Sequence, residues 1–271
     1  MEKKINQNFV FILRFLAILF VMIHHSIIYV AQLNDQTFEM IPIGVYGVYL
    51  FFLISGYCLS YSFFTRNENG FKSFYIRRFF RIVPLYFFFG ILFYFFFRTA
   101  KYYYINDILL IDNSIYNFKN IISNLLFIHG FVISANNNVV PGGWSIANEM
   151  FYYVLFPLIV FTFYKNKRFG SFYKQLILFF GLILILQTLN IIFQENDYLI
   201  FIFENTINPV LFFIFGVILF DFNSELRINL KKVNFYSSIL LFILLLVNFL
   251  FKNIFIEYLI LIIIFLLIFL F

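Results

Sequence analysis

Long apolar runs, separated by short polar segments, recur along the whole chain. An α-helix needs about 20 apolar residues to cross a hydrocarbon core about 30 Å thick. The runs are continuous rather than alternating, which favours helices over the strands of a barrel. We therefore expect an all-α, polytopic transmembrane helix bundle. Its spans, at least eight in number, are predicted at residues 9–31, 43–64, 82–97, 146–164, 176–193, 199–220, 235–251 and 254–271.

Two apolar segments need separate arguments. The run at 121–134 is shorter than a membrane span, and its length is typical of a re-entrant or interfacial piece. The run at 9–31 follows Lys3 and Lys4, as in a secretory signal, but it is longer than the apolar part of a signal peptide. We predict that this run remains in the protein as its first span.

Basic residues are divided unevenly between the segments that join the predicted spans. If the N-terminus is cytoplasmic, the cytoplasmic segments hold 14 Lys and Arg residues and the outer segments hold 4. Cytoplasmic loops of membrane proteins carry this kind of excess, so the division predicts a cytoplasmic N-terminus. A ninth span at 121–134 would move the basic cluster at 165–174 to the outside, which the same rule disfavours.

The composition excludes the ordinary soluble classes of protein. Hydrophobic residues make up 63% of the chain and charged residues 12%, whereas a soluble domain has about half and about a quarter. The net charge of +6 fits basic loops that fix membrane orientation, so we predict no nucleic-acid partner. The single cysteine, Cys58, allows no intrachain disulfide. We find no metal-ligand spacing, phosphate-binding loop or nucleophilic serine turn, and we predict no metal site.

Two polar residues in the first predicted span are candidates for chemistry. A charge at the bilayer centre costs about 2.5–3.5 kcal/mol on the insertion scale. Arg14 and His25 are eleven residues apart, which places them within about 20° of one helix face and about 16 Å apart along the axis. In one groove, Arg14 can then bind an anion near the cytoplasmic end, and His25 can accept a proton deeper in the membrane. Alternatively, the Arg14 side chain only reaches the phosphates at the cytoplasmic surface, and His25 is only a packing residue. The neighbouring His24 is the other candidate for the functional histidine.

Four short motifs follow one another in the N-terminal part of the chain. The first is Arg14, ten residues, and His25; its spacing selects His25 and not His24. The second is FFLISGY at 51–57, the third FYIRRFFRIVP at 74–84, and the fourth WSIANEMFYYVLFP at 144–157. In this order, and on this helical background, they resemble the motifs of the acyltransferase-3 family of multi-pass membrane acyltransferases.

The resemblance implies an activity and a place in the cell. It implies an O-acyltransferase that moves an acetyl or other short acyl group from cytoplasmic acetyl-CoA, a co-substrate rather than a bound cofactor. The acceptor would be a hydroxyl of a cell-surface saccharide, such as an O-antigen or exopolysaccharide unit on a lipid carrier. It also implies a multi-pass protein of the bacterial inner membrane, with one domain over residues 1–271 that lacks about two C-terminal helices of the family fold. The oligomeric state stays open.

The resemblance also assigns roles to residues. His25 would be the general base, or would carry the acetyl group transiently, and Glu149 would orient it or hydrogen-bond a sugar hydroxyl. Arg14, Arg78 and Arg81 would hold the phosphates of coenzyme A through forked hydrogen bonds. Three further residues would bind the acceptor or be structural: Trp144, Ser145 and Ser55.

Simpler explanations remain open for several of these residues. The arginines can be orientation signals, and Trp144 can be an interfacial anchor. Ser55 and the glycine after it can serve helix packing. We expect His129, in the short segment 121–134, to be structural, and Pro84 to lie at a helix N-terminus.

Two other classes of protein fit the same hydropathy. One is a transporter or flippase for a lipid-linked saccharide, which also has polar residues within its spans. The other is a catalytically inactive, truncated relative. Binding of acetyl-CoA separates the acyltransferase from the transporter.

Overall fold

The computed structural model describes residues 7–33, 43–65, 70–103, 116–137, 139–140, 142–163 and 172–225. Every regular element in these ranges is helical, which confirms the all-α prediction for this part of the chain. The α-helices are α1 (Gln7–Leu33), α2 (Ile43–Thr65), α3 (Phe71–Tyr103), α4 (Phe118–Leu125), α5 (Gly143–Phe163), α6 (Phe172–Ile192), α7 (Asp197–Ile202) and α8 (Val210–Glu225).

Five helical stretches within the described ranges are long and apolar enough to cross a membrane. They are Val10–Ile28, Gly44–Phe64, Phe71–Phe95, Gly143–Thr162 and Asp197–Asp221. Each contains or overlaps a predicted span. The predicted span at 176–193 is helical as α6, with a shorter apolar stretch, Ile177–Ile192. The predicted spans at 235–251 and 254–271 lie outside the described residues, so the count of eight and the cytoplasmic N-terminus stay predictions.

The third helix begins earlier than its hydropathy indicates. The apolar run predicts a start at residue 82, but α3 starts at Phe71, and Pro84 lies inside it rather than in its first turn. The prediction for Pro84 was therefore wrong. The reason is packing: Phe74 is only 1% exposed, and its ring stacks on Phe156 of α5 at 5.0 Å between centroids. A proline within a long membrane helix is tolerated because neighbouring groups re-satisfy the backbone carbonyl that it leaves without a donor.

The short apolar segment at 121–134 does not form a helix of span length. It contains most of α4 and two 3-10 turns, His129–Phe131 and Ile133–Ala135. At the end of α4, Phe127 takes the left-handed conformation, with φ of 57°, at a position where glycine is usual. Its buried ring packs against Tyr86 at 5.0 Å between centroids, and this contact holds the strained residue in place.

The chain divides into two compact units. The first unit comprises Met1–Thr65, Phe161–Thr188 and Leu211–Phe271. In its described part, glycines allow the backbones of α2 and α8 to touch. A Cβ on Gly56 would overlap the carbonyl oxygen of Phe213, and a Cβ on Gly216 would overlap that of Leu53. Small residues at such crossings are how membrane helices gain packing contacts, so the proposed packing role of the Ser-Gly pair in α2 holds for its glycine.

The second unit comprises Arg66–Val160 and Leu189–Val210. In this unit, the helix that begins as α7 is interrupted before α8. A π-helical turn, Phe203–Ile207, is closed by the N–H of Asn208, which donates to the carbonyl of Phe203 at 2.7 Å. Pro209 has no N–H, so the carbonyl of Asn205 loses its usual donor four residues ahead.

Side chains from α5 and from the turn after α4 support this interruption. The Asn148 amide donates to the carbonyl of Asn205, and the Tyr152 hydroxyl donates to the carbonyl of Thr206 at 2.8 Å. The Thr206 hydroxyl in turn donates to the carbonyl of Gly130 at 3.0 Å. Neighbouring side chains therefore satisfy the backbone carbonyls at the interruption, as a low-dielectric surrounding requires.

Candidate active site

The predicted polar face of the first span lies on α1, in the first unit. Arg14 and His25 are both in this continuous helix, so the spacing argument applies; Arg14 is half-buried and His25 is exposed. The adjacent face of α1 packs on α2. There, a Cβ on Gly44 would lie 2.5 Å from Cδ2 of His24, which shows how tightly that histidine is packed. His24 is thus half-buried and packs near α2, whereas His25 is exposed on α1.

The arginine cluster lies on α3, in the second unit. Arg77 and Arg81 are exposed, whereas Arg78 is half-buried. The guanidinium carbon of Arg78 lies 5.7 Å from the ring centroid of Phe74 and 5.8 Å from that of Tyr153 on α5. Both distances are within the range of a cation–π interaction. A guanidinium that packs its face on a ring keeps its N–H donors at its edge, where they suit phosphate oxygens.

Tyr153 also contacts the predicted catalytic carboxylate. Its hydroxyl donates a hydrogen bond to Oε1 of Glu149, four residues earlier on the same face of α5. The ring of Tyr153 is only 3% exposed. Arg78 and Glu149, which the motifs assign to different tasks, are therefore joined by one buried side chain.

Tyr153 contacts two residues that each lie about two turns into their helices. Glu149 lies six residues into α5, about 9 Å along the axis from Gly143, and Arg78 lies seven residues into α3, about 10 Å from Phe71. Each side chain is thus well inside its helix, and a single tyrosine spans the distance between them.

The three residues predicted to bind the acceptor or to be structural are all half-buried. Trp144 and Ser145 are half-buried in the first turn of α5, and Ser55 is half-buried in α2. The Ser145 hydroxyl donates to the carbonyl of Gly142 at 2.9 Å, which is a local backbone contact. Gly142 has φ of 76°, a conformation that glycine adopts without strain as the chain turns into α5.

Sequence reasoning missed the second polar face of α5. Asn148 and Tyr152, also four residues apart, hold the interrupted helix through the hydrogen bonds described above. The signal was present in the sequence: the predicted span at 199–220 contains polar residues and Pro209, which are expensive within a membrane. Two adjacent faces of α5 thus make different contacts. One face contacts Arg78, and the other contacts the interrupted helix.

His129 is a structural residue, as predicted. It is fully buried, and its Nε2 lies 3.0 Å from the carbonyl of Gly143 and 3.2 Å from the hydroxyl of Tyr86. A carbonyl only accepts, so Nε2 carries the proton and donates. The Tyr86 hydroxyl in turn donates to Oδ1 of Asn124 at 2.7 Å. Burial lowers the pKa of His129 below its ordinary value of 6.5 and so favours the neutral ring. Backbone contacts with Gly143 and Ser123 raise the pKa and offset this effect in part.

Comparison with known proteins agrees with the motifs. A family profile described as an acyltransferase domain matches residues 8–271. An uncharacterised protein of Haemophilus influenzae is 34% identical over 142 residues, which cover 49% of this chain and 57% of that relative. The chain thus spans little more than half the length of this relative. No solved structure matches the chain. With five helical stretches in its described part that can cross a membrane, and a profile match over nearly its whole length, the chain is a membrane protein of the acyltransferase-3 family.

Proposed function

We propose that the protein transfers an acetyl, or another short acyl, group from cytoplasmic acetyl-CoA to a hydroxyl of a cell-surface saccharide. Membership of the acyltransferase-3 family supports acyl transfer. The observation on this chain that carries the proposal is the arrangement of Arg78 and Glu149 on either side of Tyr153. A cation suited to phosphate and a carboxylate suited to a hydroxyl, both half-buried, contact one buried tyrosine of the second unit.

The proposed reaction balances without a further reactant. The acceptor hydroxyl oxygen attacks the thioester carbonyl carbon, the new C–O ester bond forms, and the C–S bond breaks. His25 takes the hydroxyl proton as general base and returns it to the sulfur of coenzyme A. General base catalysis contributes about 10²–10⁴-fold to such a step. The alternative is that the imidazole nitrogen takes the acetyl group first and then passes it to the hydroxyl.

Binding roles follow from charge and exposure. Arg14, Arg78 and Arg81 bind the phosphates of the donor, since guanidinium groups form forked hydrogen bonds with them. Glu149 accepts a hydrogen bond from the acceptor saccharide. Trp144, half-buried at the start of α5, offers an aromatic face on which a sugar ring can stack. The location proposed for this chemistry is the bacterial inner membrane.

Two measurements on the full chain test the proposal. The first is the affinity of the purified, bilayer-reconstituted protein for acetyl-CoA. The second is the mass of the host's surface glycan with and without the gene. Micromolar donor binding and loss of acetyl groups from the glycan without the gene are expected. Failure to bind acetyl-CoA, together with an unchanged glycan, overturns the proposal.

A second candidate function is transport of a lipid-linked saccharide. The interrupted helix between α7 and α8 favours it, because transporters often build substrate sites from discontinuous helices. However, two carbonyls at this interruption already accept hydrogen bonds from Asn148 and Tyr152. A transporter has no need of an acyl-CoA, so specific binding of acetyl-CoA decides for the enzyme.

A further inference from the structure

Tyr153 differs from the tyrosine that precedes it. Both rings are buried, and both hydroxyls donate hydrogen bonds within the second unit. The Tyr152 hydroxyl donates to a backbone carbonyl, which is a purely structural contact. The Tyr153 hydroxyl donates to the carboxylate of Glu149, and its ring lies against the guanidinium of Arg78. Tyr153 therefore touches two residues with proposed functional roles.

The ring of Tyr153 fixes where the Arg78 guanidinium lies. An arginine side chain has many rotamers, and ordering it for a ligand has an entropic cost. The rings of Phe74 and Tyr153 both lie close to the guanidinium carbon, so they favour one placement of the cation before the donor arrives. Phe74 in turn stacks on Phe156, so packing restrains the Phe74 ring. Preorganisation of this kind tightens binding because less freedom is lost on association.

The hydroxyl of Tyr153 fixes the Glu149 carboxylate. A hydrogen bond to Oε1 limits rotation of the carboxylate. The phenol ring is held on its other side by α3, through its contacts with Phe74 and Arg78. The carboxylate orientation therefore depends on the packing of α3 against α5.

We propose that Tyr153 is a positioning residue with two separable tasks: its ring orders Arg78 for donor phosphate, and its hydroxyl orients Glu149 for the acceptor hydroxyl. This inference rests on the proposed acyl transfer. It requires that the ring and the hydroxyl of Tyr153 affect different measured quantities. The ring affects donor affinity, and the hydroxyl affects the transfer step.

Two substitutions separate these tasks. Tyr153→Phe keeps the ring and removes the hydroxyl. We expect the Kd for acetyl-CoA to stay within about 2-fold of the wild type, while saccharide acetylation falls about 10-fold or more. Tyr153→Leu removes both groups. We expect the same loss of acetylation and, in addition, an increase of about 3- to 10-fold in the Kd.

A double-mutant cycle tests whether the ring acts through Arg78. If it does, Tyr153→Leu weakens acetyl-CoA binding in the wild type but has little further effect in an Arg78→Gln background. A tyrosine with only a general structural role would weaken binding in both backgrounds. The matched control is Tyr75→Phe, since the Tyr75 hydroxyl lies 3.4 Å from a carbonyl of α5 in the same helix pair. This control should keep wild-type affinity and acetylation.

The outcomes distinguish this inference from the proposed function. If the wild-type protein neither binds acetyl-CoA nor acetylates the glycan, the proposed function is wrong and the inference falls with it. If the wild type is active and Tyr153→Phe acetylates normally, only the inference is wrong. Because Tyr153→Phe is nearly isosteric, its acetylation activity tests the inference even if Tyr153→Leu does not accumulate. Additive effects in the cycle with Arg78→Gln would also overturn it.

Discussion

The guanidinium carbon of Arg78 lies 5.8 Å from the ring centroid of Tyr153, which places a cation of α3 on an aromatic face of α5. The same tyrosine donates a hydrogen bond to Glu149. These contacts link two motifs that are far apart in the sequence. They give the second unit a cluster in which a guanidinium group and a carboxylate contact the same tyrosine.

The two adjacent histidines of α1 should respond differently to substitution. His25→Ala should abolish saccharide acetylation, because it removes the proposed base, and the protein should still insert into the membrane. His24→Ala should retain most of the acetylation. It should lower thermal stability instead, since His24 packs against Gly44. Mass analysis of the surface glycan measures the first effect. Full acetylation by His25→Ala would exclude His25 as the catalytic residue.

The arginines assigned to the donor should govern its affinity. Arg14→Ala and Arg81→Ala should each raise the Kd for acetyl-CoA by about 10-fold, the effect of losing a hydrogen bond to a charged group. Arg77→Gln is the control, because Arg77 lies 3.5 Å from the Ser73 hydroxyl on its own helix. Calorimetric titration of the reconstituted protein measures these constants. An unchanged Kd in both alanine variants would mean that the donor site is elsewhere.

The glycines at the crossing of α2 and α8 should not tolerate side chains. Gly56→Ala and Gly216→Ala should each destabilise the protein by about 1–3 kcal/mol, because the new methyl group overlaps a backbone carbonyl. Gly181→Ala in α6 is the matched control. Its Cβ would meet no atom within 4 Å, so it should be neutral or stabilising by about 0.5–1 kcal/mol. Thermal unfolding in detergent compares the three; equal effects would contradict the described crossing.

Acid should destabilise the surroundings of His129. Its folded-state pKa lies below the ordinary 6.5, so the neutral ring stabilises the folded state fully above about pH 6.5. As the pH falls further, the unfolded chain takes up a proton that the folded protein does not, and stability is lost. Trp144 is the single tryptophan and lies next to Gly143, the hydrogen-bond partner of His129, so its fluorescence reports on this region.

The His129→Gln variant provides the control for this pH effect. It should unfold at a lower temperature than the wild type at pH 7.5, because a buried, well-packed ring is lost. Between pH 7.5 and 5.5, however, its unfolding temperature should fall less than that of the wild type. Equal pH dependence in the two proteins would show that another group is responsible.

Hydropathy was enough to predict the positions of α1, α2 and α5, because each is one continuous apolar run with few charges. It failed at the start of α3, where the arginines lower the hydropathy of a helical segment. Packing of Phe74 on Phe156 stabilises the helix there. Hydropathy also failed at the interruption before α8. There, the polar groups are satisfied by Asn148 and Tyr152, which belong to a different helix and are distant in the sequence.

The sequence proposes members of the candidate site but does not indicate which of them contact one another. Spacing and motifs single out Arg78 and Glu149, since charges within or beside spans are expensive and need a reason. That both contact Tyr153 depends on the register of α3 against α5, which no local pattern encodes. The choice of His25 over His24 comes from spacing alone and stays a prediction.

Transfer of label from acetyl-CoA tests the central claim most directly. The purified full-length protein, reconstituted in a bilayer, is incubated with acetyl-labelled acetyl-CoA and with membrane saccharide from a host that lacks the gene. We expect the label to appear on saccharide hydroxyls with the wild type and to be absent with His25→Ala. Label that stays on coenzyme A with wild-type protein, despite intact helices, would contradict the account.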